Sequence, residues 1–98
     1  AVELPAAQGS DESFEGLRVR VRDAIGFVEG VSPQQLAGSA ERPLVVPQRQ
    51  GDPLHFTGQT FLQQWSLPNF FFHVTTAYAL LRQAGVELGK ADFLGAMA

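Results

Sequence analysis

Apolar residues recur at Phe14, Leu17, Val21, Ala24 and Val28, in alternating steps of three and four, and Ile25 and Val31 widen the same stripe. Such spacing lines one face of a helix, so the pattern predicts an amphipathic helix over residues 11–30. Within it Arg18–Arg22 reads RVRVR, the alternation of a strand, but the longer window fits the helical period better. Ser10 or Ser13 stands where a cap belongs, and Asp11, Glu12 and Glu15 fall in the first turn, where the helix dipole favours acids. Gly30 closes the helix. Ser32-Pro33-Gln34-Gln35 then offers a cap, a proline at the first position and a capping-box glutamine for a second, short helical turn that Gly38 ends.

The pattern changes over residues 41–57. Arg42–Gln48 and Pro53–Thr57 are short, partly β-branched runs separated by turn formers at Gly51 and Asp52, which predicts a small β-hairpin near 44–57. Pro43, Pro47 and Pro53 each remove a donor, so these strands can pair on one edge only. Thr57 can cap the helix that follows, in which Phe61, Leu62 and Trp65 share a face.

The most apolar stretch is Pro68–Gly85, PNFFFHVTTAYALLRQAG. Phe70, Phe71, Phe72, Val74, Ala77, Tyr78, Ala79, Leu80 and Leu81 cover most of a helix circumference, which predicts burial nearly all round. Pro68 suits a first turn, and Arg82 and Gln83 before Gly85 suit a helix end. No loop residues separate this stretch from the one before it, so a single helix over 58–84, kinked at Pro68, is expected. The remaining VELGKADFLGAMA carries two glycines among scattered apolar residues and reads as an extended strap on the helices. Ala1–Gly9, broken by Pro5 and Gly9, reads as an extended lead-in.

Composition narrows the partners. Ninety-eight residues make one small domain at most, with a correspondingly small core. A net charge of −3 without a Lys/Arg cluster argues against nucleic acid as a partner. The densest apolar run, at 67–81, is interrupted by Asn69, His73 and two threonines and falls short of a membrane span. The absence of cysteine removes disulfides and thiolate metal sites and fits a reducing cytoplasm. AVELP has neither the basic nor the apolar region of a signal peptide, and the missing initial methionine points to a processed chain or a fragment.

Candidate chemistry concentrates at one place. His73 lies mid-helix, with Asn69 one turn before it and Thr75 and Thr76 just after. Residues four apart share a helix face, so Asn69 and His73 are expected on one side, joined by hydrogen bonds. The simpler reading makes His73 a buried polar residue satisfied by Asn69, a threonine or a neighbouring helix; the alternative makes it a ligand or proton-transfer group in a pocket between helices. His55 belongs to the hairpin and is expected to decorate an edge. Asp52 and Glu41 lack an evident carboxylate partner, and GVELGK has the wrong spacing for a phosphate loop and follows a helix instead of preceding one. Arg18, Arg20 and Arg22 read as a solvated face, and Phe70-Phe71-Phe72 as core.

The runs LPNFFFHVTTAYALLRQAGVELGKADFLG, HFTGQTFL and FEGLRVRVRDAIGFVEGVSPQQLAGSAERPLVV resemble the DUF1993 family, whose function is unknown and which is similar to the DinB/YfiT-like helical bundles. The resemblance implies a mainly α fold, an up-and-down four-helix bundle in which this chain holds the third and fourth helices with the hairpin between them. Residues 1–98 would then be the C-terminal part of a single domain whose N-terminal helices this chain lacks. Many DinB-like proteins are metal-dependent enzymes that bind a divalent metal through a helical His-x-x-x-His pair and a third histidine from an N-terminal helix. His73 matches the second histidine of that pair, while the first falls on Asn69, an amide that is a poor transition-metal ligand.

Two readings follow, and neither decides whether the protein is an enzyme. One is a helical-bundle or assembly module with no catalysis of its own. The other is a DinB-like metal-dependent enzyme or small-molecule binder built around Asn69, His73 and Thr76. The apolar helix at 68–84 needs neighbours on at least two sides, so a homodimer or larger homo-oligomer, or else the family's N-terminal helices, is expected as partner.

Overall fold

The computed structural model describes residues 12–97. The expected lead-in at Ala1–Gly9, the alternative cap Ser10 and the first-turn acid Asp11 lie outside the described residues. The chain divides into two units, one ending at Ser39 and the other beginning at Ala40.

The first unit carries helix α1, Phe14–Glu29, and the helical period therefore prevails over the local RVRVR alternation. Ser13 is its cap: extended backbone at φ −139° and ψ 157° turns the Oγ back to accept from the Gly16 amide at 3.0 Å. At the other end the Gly30 amide donates to Gly26 O and Phe27 O at 3.2 and 3.1 Å, with Glu15 the acid of the first turn. A 3-10 turn follows at Pro33–Leu36, its entry fixed by the Ser32 amide donating to Gln35 Oε1 at 2.7 Å.

A 3-10 turn at Ser39–Glu41 spans the boundary, and the second unit continues into the hairpin of β1, Pro43–Val46, and β2, Leu54–Thr57. The strands are antiparallel, in the register Pro43↔Thr57, Leu44↔Phe56, Val45↔His55 and Val46↔Leu54. The pleat puts Leu44, Val46, Leu54 and Phe56 on the half-buried face and Val45 with His55 on the exposed one. The connecting loop turns at Gly51, whose φ of +86° suits a residue without a Cβ, and Gln48 Nε2 donates to Asp52 O at 2.8 Å.

Thr57 ends the strand and starts the helix. Its Oγ1 accepts from the Thr60 amide at 3.2 Å while its own amide donates to Thr60 Oγ1 at 2.8 Å, a reciprocal box with threonine in the place of the usual glutamate. The first turn, α2, is Gly58–Thr60, and α3 runs Leu67–Gln83. Between them the adjustment expected at Pro68 takes the form of a π-helical turn, Phe61–Ser66, in which the Leu67 amide reaches back five residues to Leu62 O. Pro68 has no N–H for Gln64 O, and its ring would press on that carbonyl in α geometry; the wider turn accommodates both facts. Phe56 meets this turn from β2, its ring 5.7 Å from Phe61 and 6.0 Å from Trp65.

The end of α3 is a Schellman motif. Gly85, at φ +97°, donates to Arg82 O at 3.0 Å, and Val86 donates to Leu81 O at 3.0 Å. The tail beyond departs from the extended strap expected. Residues 86–89 and 95–97 are irregular, but a short helix α4 stands between them at Lys90–Leu94, because Asp92 Oδ2 accepts from the Gly89 amide at 2.7 Å and closes its first turn. The strap does lie on α3: Phe93 meets Tyr78 edge to face at 5.4 Å. The fold is mainly α with one small hairpin, as expected.

The expected burial of the apolar helix is not found. Among the described residues none is buried, and Phe70, Phe71, Phe72, Leu80 and Leu81 of α3 are all exposed.

Candidate functional site

The site residues expected from the sequence all lie on α3. On a helix of 100° per residue, Asn69, His73 and Thr76 fall within an arc of about 60°, so the first half of the expectation, a common side, follows from the observed helix. The second half does not hold. Among the described residues no hydrogen bond joins Asn69 to His73, and His73 is exposed instead of buried. Its ring packs edge to face on Phe72 at 5.2 Å. Asn69 and Thr76 are exposed as well. His55 stands apart on the outer face of the hairpin, paired across the strands with Val45.

The opposite side of α3 faces the tail. Val74, Tyr78 and Leu81, together with Leu88, Asp92 and Phe93, line an open cleft of about 350 Å³. Its walls are apolar except at Asp92, and the Arg82 guanidinium lies 5.8 Å from the centre of the Tyr78 ring. The sequence reading missed this cleft; the signal available was Asp92 three residues after Gly89, the spacing that turns a glycine-flanked tail into a helical turn.

The donor set on the polar strip is one imidazole, one carboxamide and one hydroxyl. Among the described residues no three His, Cys, Asp or Glu side chains come together as a metal site. An amide and a hydroxyl do not replace imidazole toward a transition metal, so the strip as it stands does not fit a divalent transition metal.

A family model described as a domain of unknown function, DUF1993, matches residues 1–94. The chain belongs to the DUF1993 family. A solved structure, that of a DinB family member protein from Shewanella denitrificans, is similar at 39% identity and a TM-score of 0.78. The match covers 95% of this chain and 51% of that one, so this DUF1993 chain spans about half the length of its structural neighbour. No curated protein matches the chain. Among the described residues no helix is long and apolar enough to cross a membrane.

Proposed function

We propose that this DUF1993 chain is a helical assembly module, which completes its core with helices from outside the chain and carries no catalytic centre of its own. One observation supports the reading: apolar side chains that a folded domain places inside are in water here, Phe72 at 64% and Phe70 at 58% exposure among them. Leaving Phe70, Phe71, Phe72, Leu80 and Leu81 half-exposed forgoes roughly 1 kcal/mol or more apiece, a sum comparable with the whole net stability of a domain this small. The covering helices come from a second copy in a homodimer or from the rest of a longer family protein. The cysteine-free sequence suits a reducing cytoplasm, which this reading adopts.

Sedimentation of the 98-residue chain at micromolar concentration tests the module, with a dimer or larger species expected. A compact monomer that unfolds cooperatively and binds no hydrophobic dye would overturn it.

A second reading keeps the polar strip as a binding site. Its support is the shared face of Asn69, His73 and Thr76 beside the exposed Phe72 ring, which together offer hydrogen bonds and a stacking surface to a small molecule. In this reading His73 supplies at most one ligand to a metal, and the other ligands come from outside the described residues.

A further inference from the structure

The register of the hairpin decides which backbone groups face outward. The Gly58 amide donates to Arg42 O at 2.9 Å, and these two residues continue the pairing of Pro43 with Thr57, so they form a hydrogen-bonded pair. In an antiparallel ladder such pairs alternate with pairs whose N–H and C=O turn away from each other. Leu44 with Phe56 and Val46 with Leu54 therefore hold the strands together, while Pro43, Val45, His55 and Thr57 turn their backbone groups to the outer edges. The Thr57 amide agrees with this assignment, since it donates outside the ladder, to Thr60 Oγ1 at 2.8 Å. The same alternation puts Pro47 and Pro53 at the next outward positions.

All three prolines thus stand where a neighbouring strand would need a donor. On the edge of β1 only Val45 keeps its N–H, between Pro43 and Pro47. The edge of β2 is blunted in the same way, because Pro53 has no N–H and that of Thr57 is engaged, which leaves His55. Among the described residues no third strand covers either edge. An open edge is a template for further strands, the more so beside a Leu-Val-Val run whose Val45 is 57% exposed.

The strand whose pattern matches β1 is a second β1. Paired antiparallel about Val45, two copies would set each Pro43 against the other's Pro47, pairs with no donor on either side, and only the two Val45 residues could exchange bonds. Each ring also fills the space toward which the missing N–H would point, where the incoming carbonyl has to come.

We infer that Pro43 and Pro47 close the outer edge of β1 to strand addition, and that the strand they exclude is β1 of another copy of this chain. This holds whatever covers α3: copies of the chain do not join edge to edge through the hairpin, by whichever other surface they join.

Three forms of the full 98-residue chain are compared by sedimentation and by the infrared signal of intermolecular sheet. Pro43→Val with Pro47→Val restores both donors and is expected to sediment at about twice the mass of the natural chain or more, with added sheet signal. A chemically assembled chain with N-methylvaline at both positions carries the same side chains without the donors, and is expected to sediment as the natural chain does. An unchanged mass in the double variant would overturn the inference. So would equal association of the N-methylated form, because the apolar side chains and not the donors would then be responsible. Circular dichroism follows the helices; should the double variant lose them, Pro47→Val, which lies outside β1 and restores one donor per copy, carries the same comparison with the same outcomes. A natural chain that sediments as a monomer would remove the assembly reading and leave this inference standing.

Discussion

Tyr78 on α3 and Phe93 on α4 meet edge to face, with 5.4 Å between ring centroids and 75° between ring planes. The pair fastens the tail to the helix it follows. Both residues are half-buried, whereas most large apolar residues of α3 are exposed, so this contact is among the best-covered parts of the second unit. Phe93→Ala removes the ring pair and half a phenylalanine of burial, a loss of about 1–2 kcal/mol. Limited proteolysis should then cut within residues 86–94 well before it cuts α3. Unchanged protection of the tail would show that other contacts hold it.

The capping box at the start of α2 makes a second prediction. Thr57→Ala strips the acceptor from the Thr60 amide and is expected to cost about 1 kcal/mol, while Thr57→Ser keeps the hydroxyl and most of the stability. Denaturant titration followed by circular dichroism measures both. Equal loss in the two variants would mean that the threonine methyl, not the cap, matters.

Trp65 is the single tryptophan and lies in the π-helical turn, 6.0 Å from Phe56, so its fluorescence reads that junction alone. Phe56→Ala opens the space shared with Phe61 and Trp65, and the expected result is a red-shifted emission with a loss of about 1–3 kcal/mol, scaled down from a fully buried phenylalanine. An unshifted emission maximum would mean that Trp65 is shielded by something other than Phe56.

These three contacts also separate what the residues announced from what they concealed. The caps at Ser13 and Thr57 and the Ser32-Pro33 turn were legible because each is a bond between a side chain and backbone within a few residues, and the Gly85 stop because its positive φ suits a residue without a Cβ. The RVRVR stretch was resolved by period, since a helix of four turns outweighs five alternating residues. The π-helical turn was not legible: it depends jointly on the donor Pro68 lacks and on Phe56, a partner from a strand outside the helix. The α4 turn was hidden by its flanking glycines, although Asp92 announced it. For the site, the common side of Asn69, His73 and Thr76 followed from helical spacing alone, while the exposure of His73 depends on what else packs against α3, which spacing does not encode.

The metal question turns on a single position. Asn69 stands one helical turn before His73 on the same side, so Asn69→His creates a His-x-x-x-His pair on an exposed face of an established helix. The variant should take up Zn²⁺ or Ni²⁺ in equilibrium dialysis, and the uptake should disappear with the further change His73→Ala. The natural chain should show no stoichiometric uptake, because one imidazole beside an amide and a hydroxyl is an incomplete donor set. Stoichiometric metal in the natural chain, lost on His73→Ala, would instead favour the metal-dependent reading.

Phe72 decides whether the exposed side of α3 is a working interface. It is 64% exposed, lies next to His73 and is about 80° around the helix from Leu80, which is 60% exposed. A charge introduced at such a position in a free monomer touches only water and changes stability by little more than the helix propensity of the new residue, about 0.5 kcal/mol. At the centre of a helix–helix contact the same charge is stripped of water without a partner, which costs several kcal/mol and dissociates the assembly. If the proposed homo-oligomer forms through this side, Phe72→Glu is expected to leave a monomer in sedimentation, with dye binding increased and helical circular dichroism largely retained. Phe70 lies about 160° from Phe72, toward the side of α3 that faces the tail. If this side is the interface, Phe70→Glu should leave more of the assembly intact than Phe72→Glu does. Retention of the oligomer in Phe72→Glu would move the interface to the Phe70 side and leave the strip of Asn69, His73 and Thr76 open to solvent.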